Sequence, residues 1–105
     1  MATQVAISCS SLGSNPLVAA PSDATKKIRV LGYVIVSAGT VSATFRSGLT
    51  TDKSGAFPLT AQAGVAASMI ATGNTGWIET DVGEALNLYL SAAILVAGHL
   101  TYELV

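Results

Sequence analysis

The sequence has few charged residues and few of the side chains that catalytic sites use. Lysine, arginine, aspartate and glutamate make up 10% of its 105 residues, whereas an ordinary soluble domain carries about 25%. The single cysteine, Cys9, excludes an internal disulfide. Five basic and six acidic residues give a net charge of −1, without the basic clusters that bind nucleic acids and anionic membranes. We therefore expect neither nucleic acid nor a membrane as a partner.

The low charge also bears on how much of the surface meets water. A domain of 10.6 kDa exposes about 5,500 Å² by the usual scaling of area with mass, so each charged side chain would serve about 500 Å². One interpretation is a monomer coated with serine and threonine. The other is a subunit whose partners cover much of its surface, which we favour because large exposed apolar patches mark interaction sites.

No segment of the sequence has the pattern of a signal peptide or a membrane-spanning helix. The N-terminus lacks a positively charged start and an uninterrupted apolar run. The most apolar stretch, residues 85–100, is interrupted by Asn87, Ser91 and His99 and is too short and too polar to span a bilayer. We expect a chain that folds in a cytosol without later secretion.

Apolar residues recur with a period of two, which indicates β-strands. The clearest alternation predicts strands over residues 40–47, 86–91 and 100–105. Turn sequences about every 8–12 residues are typical of a sandwich or a barrel, and a helix is plausible only over the alanine-rich residues 59–67. Weaker strands are predicted at residues 5–11, 17–20, 57–59, 65–70 and 77–80.

Residues 28–37 are apolar on both sides of the predicted strand. Strict alternation places Val30, Val34 and Val36 on one face and Leu31 and Ile35 on the other. A strand that is covered on both faces lies between two layers. The second layer is either a neighbouring subunit or a loop of the same chain.

The chain divides into an N-terminal segment, residues 1–26, and a β-sandwich domain, residues 27–105. The N-terminal segment is rich in small and polar residues and carries no charge before Asp23. It is either the first strand pair of the sandwich or an extended arm that becomes ordered on a neighbour. We place the strand pair slightly ahead of the arm.

Catalysis needs titratable groups that converge, and the sequence offers two weak candidates. Cys9 and His99 would form a nucleophilic pair only if the end strands meet. Glu79, Asp81 and Glu84 lie around a glycine turn and could begin a Ca²⁺ site, which needs about six to eight oxygen ligands. A buried cysteine, an edge-strand histidine and a solvated acidic turn are the simpler interpretations. We predict a non-enzymatic protein without a cofactor or a metal.

The region of residues 28–105 contains five turn-and-strand segments of a recognisable kind. They are Phe45-Arg-Ser-Gly, Gly55-Ala-Phe-Pro-Leu, Gly76-Trp-Ile-Glu-Thr, Gly83-Glu-Ala-Leu-Asn-Leu-Tyr-Leu-Ser-Ala-Ala and Gly98-His-Leu-Thr-Tyr. This region resembles small structural proteins of tailed bacteriophages, and among them the head decoration, or cement, proteins. The resemblance implies an all-β, jelly-roll-like antiparallel sandwich without catalytic residues.

The resemblance also implies a location and partners. Such a protein is made in the cytoplasm of the bacterial host and binds the outside of the virion capsid, as a trimer or, less often, a dimer. It contacts the major capsid protein and stabilises the joints between capsomers. A tail or fibre component is one alternative. A carbohydrate- or receptor-binding module is another, and it predicts an exposed aromatic platform or a calcium site at the acidic turn.

Two sets of side chains are the candidate contacts with partners. An apolar set would supply buried area within the oligomer, and a basic set would meet an acidic shell surface, because complementary charge steers docking. For Phe57 and Trp77 a place in the core is at least an equal alternative. The apolar set is Leu31, Tyr33, Ile35, Phe57 and Trp77, and the basic set is Lys26, Lys27 and Arg29.

Overall fold

The computed structural model describes residues 3–67 and 77–105, and these residues form strands and no helix. The all-β prediction is therefore confirmed. The strands are β1 (Thr3–Cys9), β2 (Gly13–Val18), β3 (Ile28–Ser37), β4 (Val41–Ser47), β5 (Thr51–Asp52), β6 (Phe57–Leu59), β7 (Gly64–Ala67), β8 (Ile78–Glu79), β9 (Leu86–Leu90) and β10 (Val96–Leu104).

The strands form two antiparallel sheets that pack face to face. Sheet A has the order β1-β10-β3-β7, and β8 also pairs with β3. Sheet B has the order β2-β9-β4-β5, and β6 also pairs with β4. The last strand lies between the first and the third, and the chain passes repeatedly from one sheet to the other, which is the jelly-roll arrangement. The predicted jelly-roll-like antiparallel sandwich is confirmed.

The N-terminal segment contributes one strand to each sheet. β1 pairs with β10 in sheet A, and β2 pairs with β9 in sheet B. The two strands therefore pair with the far end of the chain and not with each other. As a consequence, residues 3–18 belong to the body of the sandwich.

The core lies between the sheets and is built on alternating apolar residues. Leu88 on β9 and Phe45 on β4 are fully buried. The ring of Tyr33 lies 5.0 Å from the Phe45 ring and the ring of Phe57 lies 6.2 Å from it, both in edge-to-face geometry. Such geometry adds to the stabilisation from buried area. Tyr33 and Phe57 therefore pack on the core.

A β-bulge at Leu31 interrupts the alternation of β3. Thr101 pairs with Gly32 and Tyr102 pairs with Val30, so Leu31 has no partner in the register with β10. The extra residue reverses the side to which later side chains point. Strict alternation was therefore a wrong prediction for β3.

Beyond the bulge, the facing of β3 is the reverse of the predicted one. Ile28 and Val30, before it, and Ile35, after it, all belong to the core between the sheets. Val34 and Val36 lie on the opposite face of sheet A, and Val36 is 43% exposed. The outer face of sheet A thus carries two valines that strict alternation assigns to the same face as Val30.

Residues 59–67, where a helix was plausible, form the end of β6, a turn and β7. In the turn Gln62 has a φ of 64°, a left-handed conformation that a helix does not accept. The Gln62 N–H donates to the Ser37 carbonyl oxygen, and the Ser37 hydroxyl donates to the Thr60 carbonyl oxygen at 2.7 Å. The strand predicted over residues 65–70 corresponds to β7, and its last three residues lie outside the described part of the chain.

Candidate interaction surface

A row of charged side chains crosses one end of sheet A. In the strand register, Arg29 on β3 pairs with Glu79 on β8 and with Glu103 on β10. Arg29 Nε lies 2.9 Å from Glu79 Oε2, and Arg29 Nη1 lies 3.6 Å from Glu103 Oε1. Lys27 joins the row with its Nζ 2.7 Å from Glu79 Oε1. The two basic and two acidic side chains of the row neutralise one another.

The row changes the role expected for the basic set. Arg29 is buried, at 9% exposed, and a buried charge is retained only when it is paired. Arg29 therefore does not present its charge to an acidic shell, and Lys27 is half-buried in the same row. Lys26 is exposed, and of the three bases it is the one whose position leaves it open to a partner.

The carboxylates of the acidic turn bind groups of this chain and do not gather around a common point. Asp81 pairs with Lys53 at 2.9 Å. Glu84 accepts a hydrogen bond from the Ser47 hydroxyl at 2.6 Å, and the same hydroxyl accepts one from the Asp81 N–H at 2.8 Å. Glu79 belongs to the charged row. Within residues 3–67 and 77–105, no group of three or more potential metal ligands occurs.

Cys9 and His99 lie on opposite faces of sheet A, although the end strands do meet. Cys9 pairs with Val96, His99 pairs with Ala6, and an odd number of residues along a strand reverses the face. Cys9 is buried and His99 is exposed. Burial also raises the pKa of the Cys9 thiol, which disfavours the reactive thiolate. This arrangement excludes a Cys9–His99 nucleophilic pair.

The apolar set of predicted contact residues separates into buried and exposed members. Leu31 and Ile35 are 1% and 0% exposed, so they offer no area to another molecule and we do not retain them as contacts. Tyr33 and Phe57 are partly buried against the core. Trp77 is 51% exposed, at the start of the segment that leads into β8, where its backbone N–H donates to the Val30 carbonyl oxygen.

Beyond the charged row, the outer face of sheet A carries mostly small side chains, both apolar and polar. The strand register identifies its members as the residues of β1, β10, β3 and β7 whose side chains point away from the core. His99 is the one titratable side chain among those members. Sequence reasoning missed this face in part because the bulge at Leu31 turns Val34 and Val36 onto it. The members are Gln4, Ala6, Ser8, Val34, Val36, Ala66, Ala97, His99 and Thr101.

The outer face of sheet B is different in character. The Arg46 guanidinium carbon lies 4.0 Å from the centroid of the Tyr89 ring, and Arg46 Nε lies 2.6 Å from Asp52 Oδ1. Asn87, beside them, donates its amide to the Gly48 carbonyl oxygen at 2.6 Å. These polar groups satisfy one another, so the outer face of sheet A is the better candidate for contact with another protein.

A groove at the edge of sheet B is smaller than a typical small-molecule site. It has a volume of about 200 Å³, and neither charged nor aromatic side chains line it. A small-molecule site usually adds a few convergent polar groups to an apolar cavity of ~300 Å³ or more. The lining residues are Thr40, Val41, Ser42, Pro58, Leu59, Thr60 and Ser91.

No family model matches this chain, and neither curated proteins nor solved structures gave a match. In residues 3–67 and 77–105 there is no helix with the length and hydropathy of a membrane span. The function of the chain has therefore to be inferred from its own residues and their arrangement.

Proposed function

We propose that this chain is a non-enzymatic structural protein of a virion, a decoration or cement protein on the outer surface of a bacteriophage capsid. It binds the assembled shell and stabilises the joints between capsomers. The observation that carries the proposal is the outer face of sheet A, whose part beyond the charged row combines alanines and valines with short polar side chains and carries no acidic or basic residue besides His99. The jelly-roll fold supports it, because viral capsid domains commonly have this fold, and so does the resemblance of residues 28–105.

The dimensions of the molecule suit such a role. It measures 37 × 26 × 20 Å, and the smallest dimension corresponds to two sheets about 10 Å apart with their outward side chains. The broad side of 37 × 26 Å, taken as an ellipse, covers roughly 750 Å², which is close to the ~800 Å² per partner of a standard interface. One sheet face is therefore large enough for a specific contact.

The chemistry of the outer face of sheet A is suited to contact with another protein surface. Small side chains such as Ala6, Ala97 and Ala66 allow another backbone to approach closely. The charged row at one end is already neutralised within the chain, so docking does not require an unpaired charge to be buried. Trp77 and the exposed Lys26 would then act as an apolar anchor and a source of electrostatic steering.

Binding to shells tests this function directly. The purified chain is mixed with mature capsids of the phage or prophage that encodes it, and bound protein is measured after sedimentation. We expect saturable binding that Trp77→Ala weakens at least about tenfold, since anchoring tryptophans dominate interface energies. Leu49→Ala is the matched control, because Leu49 is 69% exposed in the turn between β4 and β5. A folded wild-type chain that leaves the capsids bare would overturn the proposal.

The half-exposed Trp77 also favours a second candidate, a carbohydrate- or receptor-binding module of a tail or fibre. An exposed indole provides the flat apolar platform on which a sugar ring stacks. Titration of the chain with a glycan library, followed by tryptophan fluorescence, distinguishes the two. A saturable change with one glycan, together with no binding to capsids, would favour the second candidate.

A further inference from the structure

The described part of the sandwich has two edges in each sheet, and three of these four edges are protected against pairing. One edge of sheet A consists of β7 and β8, with four and two residues. One edge of sheet B consists of β5 and β6, with two and three residues, and β6 contains Pro58. The other edge of sheet B, β2, contains Pro16 and a register shift after it. Short strands, proline and bulges are the usual means of blocking an edge.

The fourth edge, β1, has none of these protections. It has seven residues without proline, glycine or charge, and its register with β10 is unbroken from Thr3–Tyr102 to Cys9–Val96. In an antiparallel pair, alternate residues direct their N–H and C=O groups to the neighbouring strand, and the others direct them outward. β1 therefore presents a regular row of backbone donors and acceptors along an open edge.

We propose that β1 is the edge through which this chain pairs with a second copy of itself. The two β1 strands run antiparallel about a two-fold axis at Ala6, so that Thr3 lies opposite Cys9 and Gln4 lies opposite Ser8. This register pairs all seven residues of the strand. In this register an outward-pointing side chain always lies opposite another outward-pointing side chain. The outer faces of sheet A in the two copies therefore lie on the same side of the joined sheet.

The composition of β1 favours a second copy over another protein. A two-fold axis at Ala6 places every side chain of β1 opposite a side chain of the same strand, and a strand without charge makes such a contact without like-charge repulsion. The outward side chains Gln4, Ala6 and Ser8 are small or polar and exposed, so none obstructs the neighbouring strand. An isologous contact of this kind closes as a dimer, and not as the trimer that the phage resemblance favours.

The pairing joins two outer faces of sheet A into one continuous surface. Its strand order is β7-β3-β10-β1 followed by the same four strands of the second copy in reverse. This inference deepens the proposed function by naming its self-contact, and it is tested in the absence of capsids. A dimer that fails to bind capsids would count against the decoration role alone, whereas a capsid-binding monomer would count against the pairing alone.

A pair of matched lysine variants tests the edge. Ala6 and Ala66 are both exposed alanines on the outer face of sheet A, at opposite edges. We expect the wild type and Ala66→Lys to have twice the 10.6 kDa chain mass in light scattering, and Ala6→Lys to have the mass of one chain. Circular dichroism checks that both variants are folded. A monomeric or trimeric wild type would overturn the pairing, as would loss of the dimer in both variants, which would indicate contact through the face.

Cross-linking provides a measurement that does not depend on weakening the dimer. In a Cys9→Ala background, Ala6→Cys places two thiols opposite each other across the axis, where facing Cβ atoms are about 4.5–5.5 Å apart. We expect a short thiol cross-linker to convert most of this variant to covalent dimer at low protein concentration. Ala66→Cys in the same background should stay monomeric on a denaturing gel. The reverse pattern would overturn the proposal.

Discussion

Arg29 and Glu103 lie directly opposite each other on β3 and β10, with Arg29 Nη1 3.6 Å from Glu103 Oε1. Their side chains are 11% and 10% exposed, so solvent screens their interaction only weakly. Removal of one partner from a buried pair leaves the other charge without compensation, which costs more than the pair contributes. We therefore expect the loss of one member of the charged row to destabilise the chain more than the loss of a surface ion pair would.

The first prediction concerns this row. Arg29→Met removes the charge that Glu79 and Glu103 share, and we expect the free energy of unfolding to fall by about 3 kcal/mol or more. Lys53→Met is the control, because the Asp81 carboxylate that it pairs with is 54% exposed, and such surface pairs contribute about 0–1 kcal/mol. Urea unfolding of both variants measures the difference. Equal decreases in the free energy of unfolding of the two variants would show that burial does not determine the cost of removing a charge from the row.

The second prediction concerns the close approach of β10 and β3. A Cβ atom built on Gly98 would overlap the carbonyl oxygen of Val34, so Gly98→Ala must push the two central strands of sheet A apart. We expect a loss of about 2 kcal/mol or more, at the upper end of overpacking costs. Gly55→Ala is the matched control, because a Cβ there meets nothing within 4 Å. Thermal unfolding that is the same for both variants would contradict the close approach.

The third prediction concerns the reactivity of Cys9. The thiol is buried and its pKa is raised by that burial, so both access and thiolate formation are disfavoured. We expect a thiol reagent at neutral pH to label Cys9 only as fast as the chain unfolds, and to label it fully in urea. The Ala66→Cys variant in the Cys9→Ala background, with an exposed thiol away from the β1 edge, provides the fast reference. Rapid labelling of native Cys9 would contradict its placement in the core.

The fourth prediction concerns alkaline pH. The pKa values of Cys9 and Tyr33 are raised from ordinary values of 9.0 and 10.0, in both cases chiefly by burial. The folded state therefore binds protons more tightly than the unfolded state. The stability that these groups confer is complete below about pH 9 and is lost as the pH rises through the raised values.

Unfolding measured from pH 8 to 11 checks this prediction. We expect a stability that is level near pH 8 and declines above about pH 9. The Cys9→Ala variant should show a shallower decline, because only Tyr33 then contributes its raised pKa. A stability that rises over this range would reverse the sign and contradict the burial of both groups.

Sequence periodicity located the central strands because their buried face is defined by their own residues. The strands predicted at residues 40–47 and 86–91 correspond to β4 and β9. β10 begins at Val96, before the predicted start at residue 100, because Gly98 and His99 hide the alternation. Where a strand alternates cleanly, one face of the sandwich follows from the sequence alone.

Residues 13–16, which have the composition of a turn, form the first part of β2 instead. Pro16 is tolerated because β2 is an edge strand. The Asn15 amide donates to the Ser11 and Gly13 carbonyl oxygens at 2.9 and 3.0 Å and also contacts the Leu88 carbonyl oxygen. The hydrogen bonds of the Asn15 side chain thus stabilise a strand in a segment whose local propensity favours a turn.

The candidate surface was less accessible to sequence reasoning than the fold. The partners in the charged row come from distant segments, and only the order of the strands brings Arg29 beside Glu103. The same holds for Cys9 and His99, whose strands meet while their side chains point apart. Contacts of this kind depend on register, which a single sequence without its partner strand does not specify.

The bulge at Leu31 lets one strand serve two purposes with one type of side chain. Before it, Ile28 and Val30 fill the interior, and after it Val34 and Val36 stand outside. If the same ten residues of β3 paired in strict alternation, without the bulge, the composition and hydropathy of the chain would be unchanged. The second half of β3 would nevertheless be turned inside out, with Tyr33 and Ile35 facing solvent. The apolar character of this part of the surface thus depends on how the strand accommodates one extra residue.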